Sequence, residues 1–75
     1  MKVNRTNKIE NYLKENNMNY IQRVYSIDVY GYKQKYDLNI DCQFNDYIVS
    51  KYLDGSYVCE VECKTQKDVI RILSY

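Results

Sequence analysis

Residues 36–44 read Tyr36-Asp37-Leu38-Asn39-Ile40-Asp41-Cys42-Gln43-Phe44, with apolar and polar side chains in strict alternation. Successive side chains of a β-strand point to opposite faces. Tyr36, Leu38, Ile40, Cys42 and Phe44 therefore share one face, and Asp37, Asn39, Asp41 and Gln43 share the other. Such a strand is half-buried. It calls for an antiparallel sheet with one face on a core and one face left to solvent.

Working outward, Gly31 to Lys35 reads as a turn, and residues 23–30 alternate again with Tyr25, Ile27 and Val29 on one face. A loop from Tyr32 to Lys35 pairs Val29 with Leu38 and Ile27 with Ile40. Asn45 and Asp46 signal the next turn, and residues 47–53 form a third strand. Asp54-Gly55 is a strong two-residue hairpin signal, and the fourth strand runs from Ser56 to Cys63. A two-residue turn there pairs Tyr52 with Tyr57, Ser50 with Cys59, and Ile48 with Val61. Phe44 joins the same face only if the loop Asn45–Tyr47 pairs it with Ile48, because a one-residue slip moves every side chain across the sheet. Asp41 then lies opposite Lys51 on the outer face.

Two helices flank the strands. Thr6 can cap a helix over residues 6–17 with Ile9, Tyr12 and Leu13 in one stripe, and Asn16, Asn17 and Asn19 favour its end. Thr65, with Asp68 three residues on, reads as a capping box that opens a final helix bearing Val69, Ile70, Ile72 and Leu73. The expected fold is α+β: a four-stranded antiparallel meander flanked by an N-terminal and a C-terminal helix packed on one face (α-β-β-β-β-α). It forms a single small domain over residues 1–75.

Composition narrows the function. A chain of 75 residues buries a thin core, and ten tyrosines supply much of its apolar area. Eleven basic against ten acidic residues give a net charge of +1, which argues against a general polyanion binder. Lys2, Arg5 and Lys8 open the chain, whereas Asp37, Asp41, Asp46, Asp54, Glu60 and Glu62 lie in its second half. No apolar run approaches the ~20 residues that span a bilayer, so no membrane partner is expected. No charged segment leads into an apolar stretch of signal-peptide type. Three cysteines, an odd number, fit reduced thiols. The expected location is cytoplasmic.

Catalytic chemistry finds no footing. The absence of histidine removes the commonest general base and every His-containing zinc site. In this register Cys42 and Cys59 sit about 9–10 Å apart, and Cys59 and Cys63 about 13 Å apart. The three thiols are expected to be buried and inert, with no disulfide and no metal. Asp37 and Asp41 share a face about 13 Å apart, too far for an acid–base pair. No Gly-rich phosphate loop and no nucleophile with a base is present. The expectation is a protein that is not an enzyme and holds no cofactor.

The outer sheet face is the surface left to act. Its candidate partner-binding residues are Asp28, Tyr30, Asp37, Asp41, Tyr47, Val49, Val58, Glu60 and Glu62, with Tyr30 and Tyr47 as aromatic anchors. Val24, Val49, Val58 and Leu53 would form an apolar strip among the acids. The plainer reading is a solvated face whose valines serve β-propensity. Two alternatives stand beside it. The basic N-terminal half, with Tyr20, Arg23, Tyr32, Lys33 and Lys35, suits single-stranded nucleic acid. A structural homodimer is the other.

The order of elements resembles the double-stranded-RNA-binding domain, which runs α-β-β-β-α. That family opens its final helix with Lys-Lys-x-Ala-Lys. Here the segment is Thr65-Gln66-Lys67-Asp68-Val69-Ile70, with only Lys67 in place, so the RNA-binding function does not carry over. In size, tyrosine and asparagine content and lack of histidine, the chain resembles small phage-encoded anti-defence proteins of the anti-CRISPR type. That resemblance implies a non-enzymatic inhibitor acting in the host cytoplasm. It implies a protein partner, such as a nuclease or CRISPR effector, blocked through an acidic, tyrosine-bearing face.

Overall fold

The computed structural model describes residues 5–75, so Lys2 of the basic N-terminal cluster lies outside the described residues. In chain order the elements are α1 (Asn7–Glu15), β1 (Asn19–Gln22), β2 (Ser26–Tyr32), β3 (Tyr36–Asp41), β4 (Tyr47–Leu53), β5 (Ser56–Cys63) and α2 (Gln66–Leu73). The strands form one antiparallel sheet in the order β1-β2-β3-β4-β5. The sheet thus has five strands where the sequence reading expected four. The added strand, β1, is short and turns Tyr20 and Gln22 toward the core and Ile21 outward. With a polar residue at one of its two inward positions, it carries almost no apolar alternation.

The pairing of β2 with β3 follows expectation: Ile27 meets Ile40 and Val29 meets Leu38. All four side chains are buried. A bulge at Gly31, whose φ of +71° suits a residue without Cβ, restarts the alternation and turns Tyr32 inward. The Tyr32 hydroxyl then donates to the Ile72 carbonyl at 3.1 Å, tying β2 to α2.

The register of β4 departs from expectation. The turn itself is as read: Asp54 and Gly55 have φ of +51° and +82°, and Tyr52 pairs with Tyr57. Beyond that pair β5 carries an extra residue, Val58, so Lys51 meets Cys59, Val49 meets Val61 and Tyr47 meets Cys63. Tyr47, Val49 and Lys51 therefore face inward, and Ile48, Ser50 and Tyr52 face outward. Asp41 pairs with Ile48, while Lys51 pairs with Leu38, so Asp41 and Lys51 occupy opposite faces. Phe44 leaves the sheet in the loop after Asp41 and is 70% exposed. This register buries the Tyr47 ring and lets its hydroxyl donate to the Arg5 carbonyl at 2.8 Å. It also keeps the Ser50 hydroxyl out of the core.

Both helices cover the inner face. Ile9 and Leu13 of α1 and Val69 and Leu73 of α2 are buried there with the inward strand residues. Asn17, with φ of +54°, closes the turn after α1, in keeping with the asparagine signal. Thr65 caps α2 by accepting from the Asp68 amide at 3.1 Å. Thr6 behaves differently: it is buried, donates to the Glu10 carboxylate at 2.9 Å and accepts from the Gln22 side-chain amide at 3.3 Å, rather than capping a backbone amide of the helix. The first turn of α1 is served instead by Gln66 of α2. Its side-chain oxygen accepts from the Lys8 and Ile9 amides at 2.8 and 3.2 Å, and its nitrogen donates to Asn7 at 3.1 Å.

Candidate interaction face

The pairings place five carboxylates on the uncovered face of the sheet. One row runs Ser26, Asp41, Ile48, Glu62; the next runs Ile21, Asp28, Asn39, Ser50, Glu60. A third brings Asp37 beside Tyr52 and Tyr57. None of the outward strand positions holds a lysine or arginine. The strand lysine Lys51 points inward, where its ammonium lies 4.7 Å from the centre of the Tyr36 ring. Lys35 also stacks on Tyr36, at 5.0 Å, and Lys33 on Tyr32, at 5.6 Å. The strand lysine thus stands off the acidic face, which Arg23 reaches from the turn between β1 and β2.

Each carboxylate is held differently. Asp28 is the most constrained: Arg23 reaches one oxygen at 2.7 Å and the Asn39 amide donates to the other at 2.7 Å. The Arg23 hydrogen bond leads in drawing its pKa below the ordinary aspartate value, with Asn39 assisting against partial desolvation. Asp41 accepts from the Gln43 amide at 2.9 Å, and Asp37 from the Gly31 amide at 3.3 Å. Among the described residues, Asp37, Asp41, Glu60 and Glu62 form no ion pair. The aromatic component is Tyr30, 39% exposed, with Tyr52 and Tyr57, whose rings meet edge-on at 6.0 Å between centres. The Tyr57 phenol is pushed up by desolvation and then by the nearby Glu60 carboxylate.

Of the residues singled out from sequence, Asp28, Tyr30, Asp37, Asp41, Glu60 and Glu62 share this face. Tyr47 and Val49 do not. They are 5% and 4% exposed on the helix-covered side, because the Val58 bulge moves β4 by one residue. Val58 is the bulged residue itself, and no continuous apolar strip forms. Val24 sits in the turn between β1 and β2, and Leu53 pairs with Tyr36 at the hairpin end. Sequence reasoning missed Ile21, Ile48, Tyr52 and Tyr57. The Tyr52–Tyr57 pairing was readable from the hairpin, but its face was not.

Among the described residues, Arg5, Arg23 and Tyr32 of the basic N-terminal half are engaged within the fold rather than gathered on one open surface. The Arg5 guanidinium donates to the carbonyls of Cys42, Phe44 and Asn45 and stacks on Tyr47. Arg23 is engaged with Asp28, and Tyr32 is buried. The cysteines also divide. Cys42 and Cys63 are buried, and burial pushes both thiols up, but Cys59 is exposed on β5, contrary to the expectation of three buried thiols. Among the described residues no cluster of metal-binding side chains occurs, and no helix is long and apolar enough to cross a membrane.

No protein-family model, curated protein or solved structure matches the chain.

Proposed function

We propose that the protein is a non-enzymatic binding module that presents its acidic, tyrosine-bearing sheet face to a basic surface on a protein partner. The nucleic-acid channel of a host nuclease or CRISPR effector has the matching chemistry. Occupying such a channel would exclude its nucleic acid, which is the mode of action that the resemblance to anti-defence proteins implies. The observation that carries this reading is the excess of negative charge: five outward carboxylates with no basic residue on the outward strand positions, of which Asp28 alone is paired, with Arg23 from the adjoining turn, among the described residues. An ordinary solvated face mixes signs, and like charges left together cost stability unless a partner uses them. The tyrosines add rigid aromatic area at the acidic rim.

The test is capture of partners from host lysate by the unaltered protein and by the triple variant Asp37→Lys, Asp41→Lys, Glu60→Lys. All three positions lie on the outer face, so the variant keeps the core. The expected result is a basic, nucleic-acid-handling protein that the variant fails to retain. Its capture should also weaken with salt, since exposed charges are screened beyond about 8–10 Å. Undiminished retention of the same partner by the variant would overturn the reading.

A further inference from the structure

The strand at one end of the sheet, β5, has no neighbouring strand beyond it among the described residues. An edge strand presents a row of unpaired backbone N–H and C=O groups. Past the Val58 bulge, the run from Cys59 to Cys63 pairs regularly with β4. Its outward side chains are Glu60 and Glu62. Its inward side chains Cys59 and Val61 remain exposed, Val61 at 44%, although they lie on the face that the helices cover elsewhere. A cleft of about 140 Å³ opens there, bordered by Val49, Cys59, Val61 and Ile72 and by the lysines Lys33 and Lys51. The side chains of the edge strand itself therefore alternate, Cys59 and Val61 on the inner side and Glu60 and Glu62 on the outer, with Lys51 beside Cys59 on the inner side.

The geometry points to β5 as the docking edge for an extended segment of the partner, added as a sixth strand, with apolar residues alternating with lysine or arginine. This deepens the acidic-face reading and rests on it. Apolar side chains of the added strand would extend the surface of Cys59 and Val61, and its cations would stand opposite Glu60 and Glu62. Main-chain hydrogen bonds supply the attraction, and the alternation supplies the selectivity. A second copy of this chain fits less well. Antiparallel pairing of two β5 strands would set Glu60 and Glu62 of both copies on one face, with like charges opposed.

The probe is a capped pentapeptide, Val-Arg-Val-Arg-Val, titrated into the isotopically labelled protein. Docking should slow hydrogen exchange of amides between Cys59 and Cys63. Glu62→Lys should weaken binding by about fivefold or more, because a cross-strand attraction becomes a repulsion. Glu15→Lys, exposed at the end of α1 and off the acidic face, should change it by less than about threefold, through screened long-range charge alone. A peptide with its edge-facing amides N-methylated should fail to bind, which tests the hydrogen bonds without altering the protein. Absence of binding overturns the proposal. Binding that leaves β5 exchange unchanged, or that survives N-methylation, overturns it too. That last pattern, with shifts centred on Asp37 and Asp41, would leave the acidic-face reading standing.

Discussion

The two faces of the sheet are built from the same five strands and share almost nothing else. Inward, Ile27, Val29 and Ile40 are fully buried, with Leu38 and Val49 at 3% and 4% exposure. Outward, the same strands carry Asp28, Asp37, Asp41, Glu60 and Glu62. Alternation with a period of two lets one backbone serve two purposes. The inner set supplies the apolar burial that holds a small domain together. The outer set contributes little to that and is free to carry charge. Stability and recognition are thereby separable by residue parity, with bulges at Gly31 and Val58 as the points where parity changes.

Substitution should expose this division. The largest effect belongs to Ile40→Ala, which leaves a cavity at a fully buried position of the core and is expected to cost about 2–5 kcal/mol in urea unfolding. Gln66→Ala comes next. It removes the acceptor for two amides in the first turn of α1, a loss of about 0.5–2 kcal/mol on the scale of helix caps, read as a lowered Tm.

Asp28→Asn sharpens the comparison through pH. The folded-state pKa of Asp28 is depressed, chiefly by Arg23, so its ionised form stabilises the fold above the unfolded value of about 3.9. That contribution is lost as pH falls through the lower folded value. The unaltered protein should therefore melt higher than Asp28→Asn near neutrality, and the two should converge in acid. A constant gap across pH would remove the charge pairing as the cause. The smallest effect is expected for Asp37→Ala, within about 0.5 kcal/mol, because the side chain is exposed. Equal urea midpoints for Ile40→Ala and Asp37→Ala would erase the distinction between the faces.

Much of this arrangement is legible in the chain. The pairing of β2 with β3 follows from two alternating runs, the Asp54-Gly55 turn from its residue types, and α2 from Thr65 and Asp68. What escaped did so for physical reasons. β1 has only two inward positions, and Gln22 occupies one of them. The bulge at Val58 falls on a β-branched residue in a continuous strand pattern, with no glycine to mark it. On β4, Tyr47 and Val49 are as apolar as Ile48 and Tyr52, so parity could be argued either way. One unmarked residue thus exchanged Tyr47 and Val49 for Ile48 and Tyr52. The acidic residues of β2, β3 and β5 were unaffected, since the alternation of those strands is independent of β4.

Gln66 has a consequence for the order in which the molecule comes together. The hairpins from β2 to β5 join segments close in sequence and can form early and locally. The helix α1 has nine residues, too few to persist alone in water. Its first turn is satisfied by a side chain 57 or 58 residues further along. The opening helix therefore settles only after the closing one has docked. On the ribosome, α1 is made before α2 but would become ordered after it, and until then the part of the inner face that α1 covers would stand open.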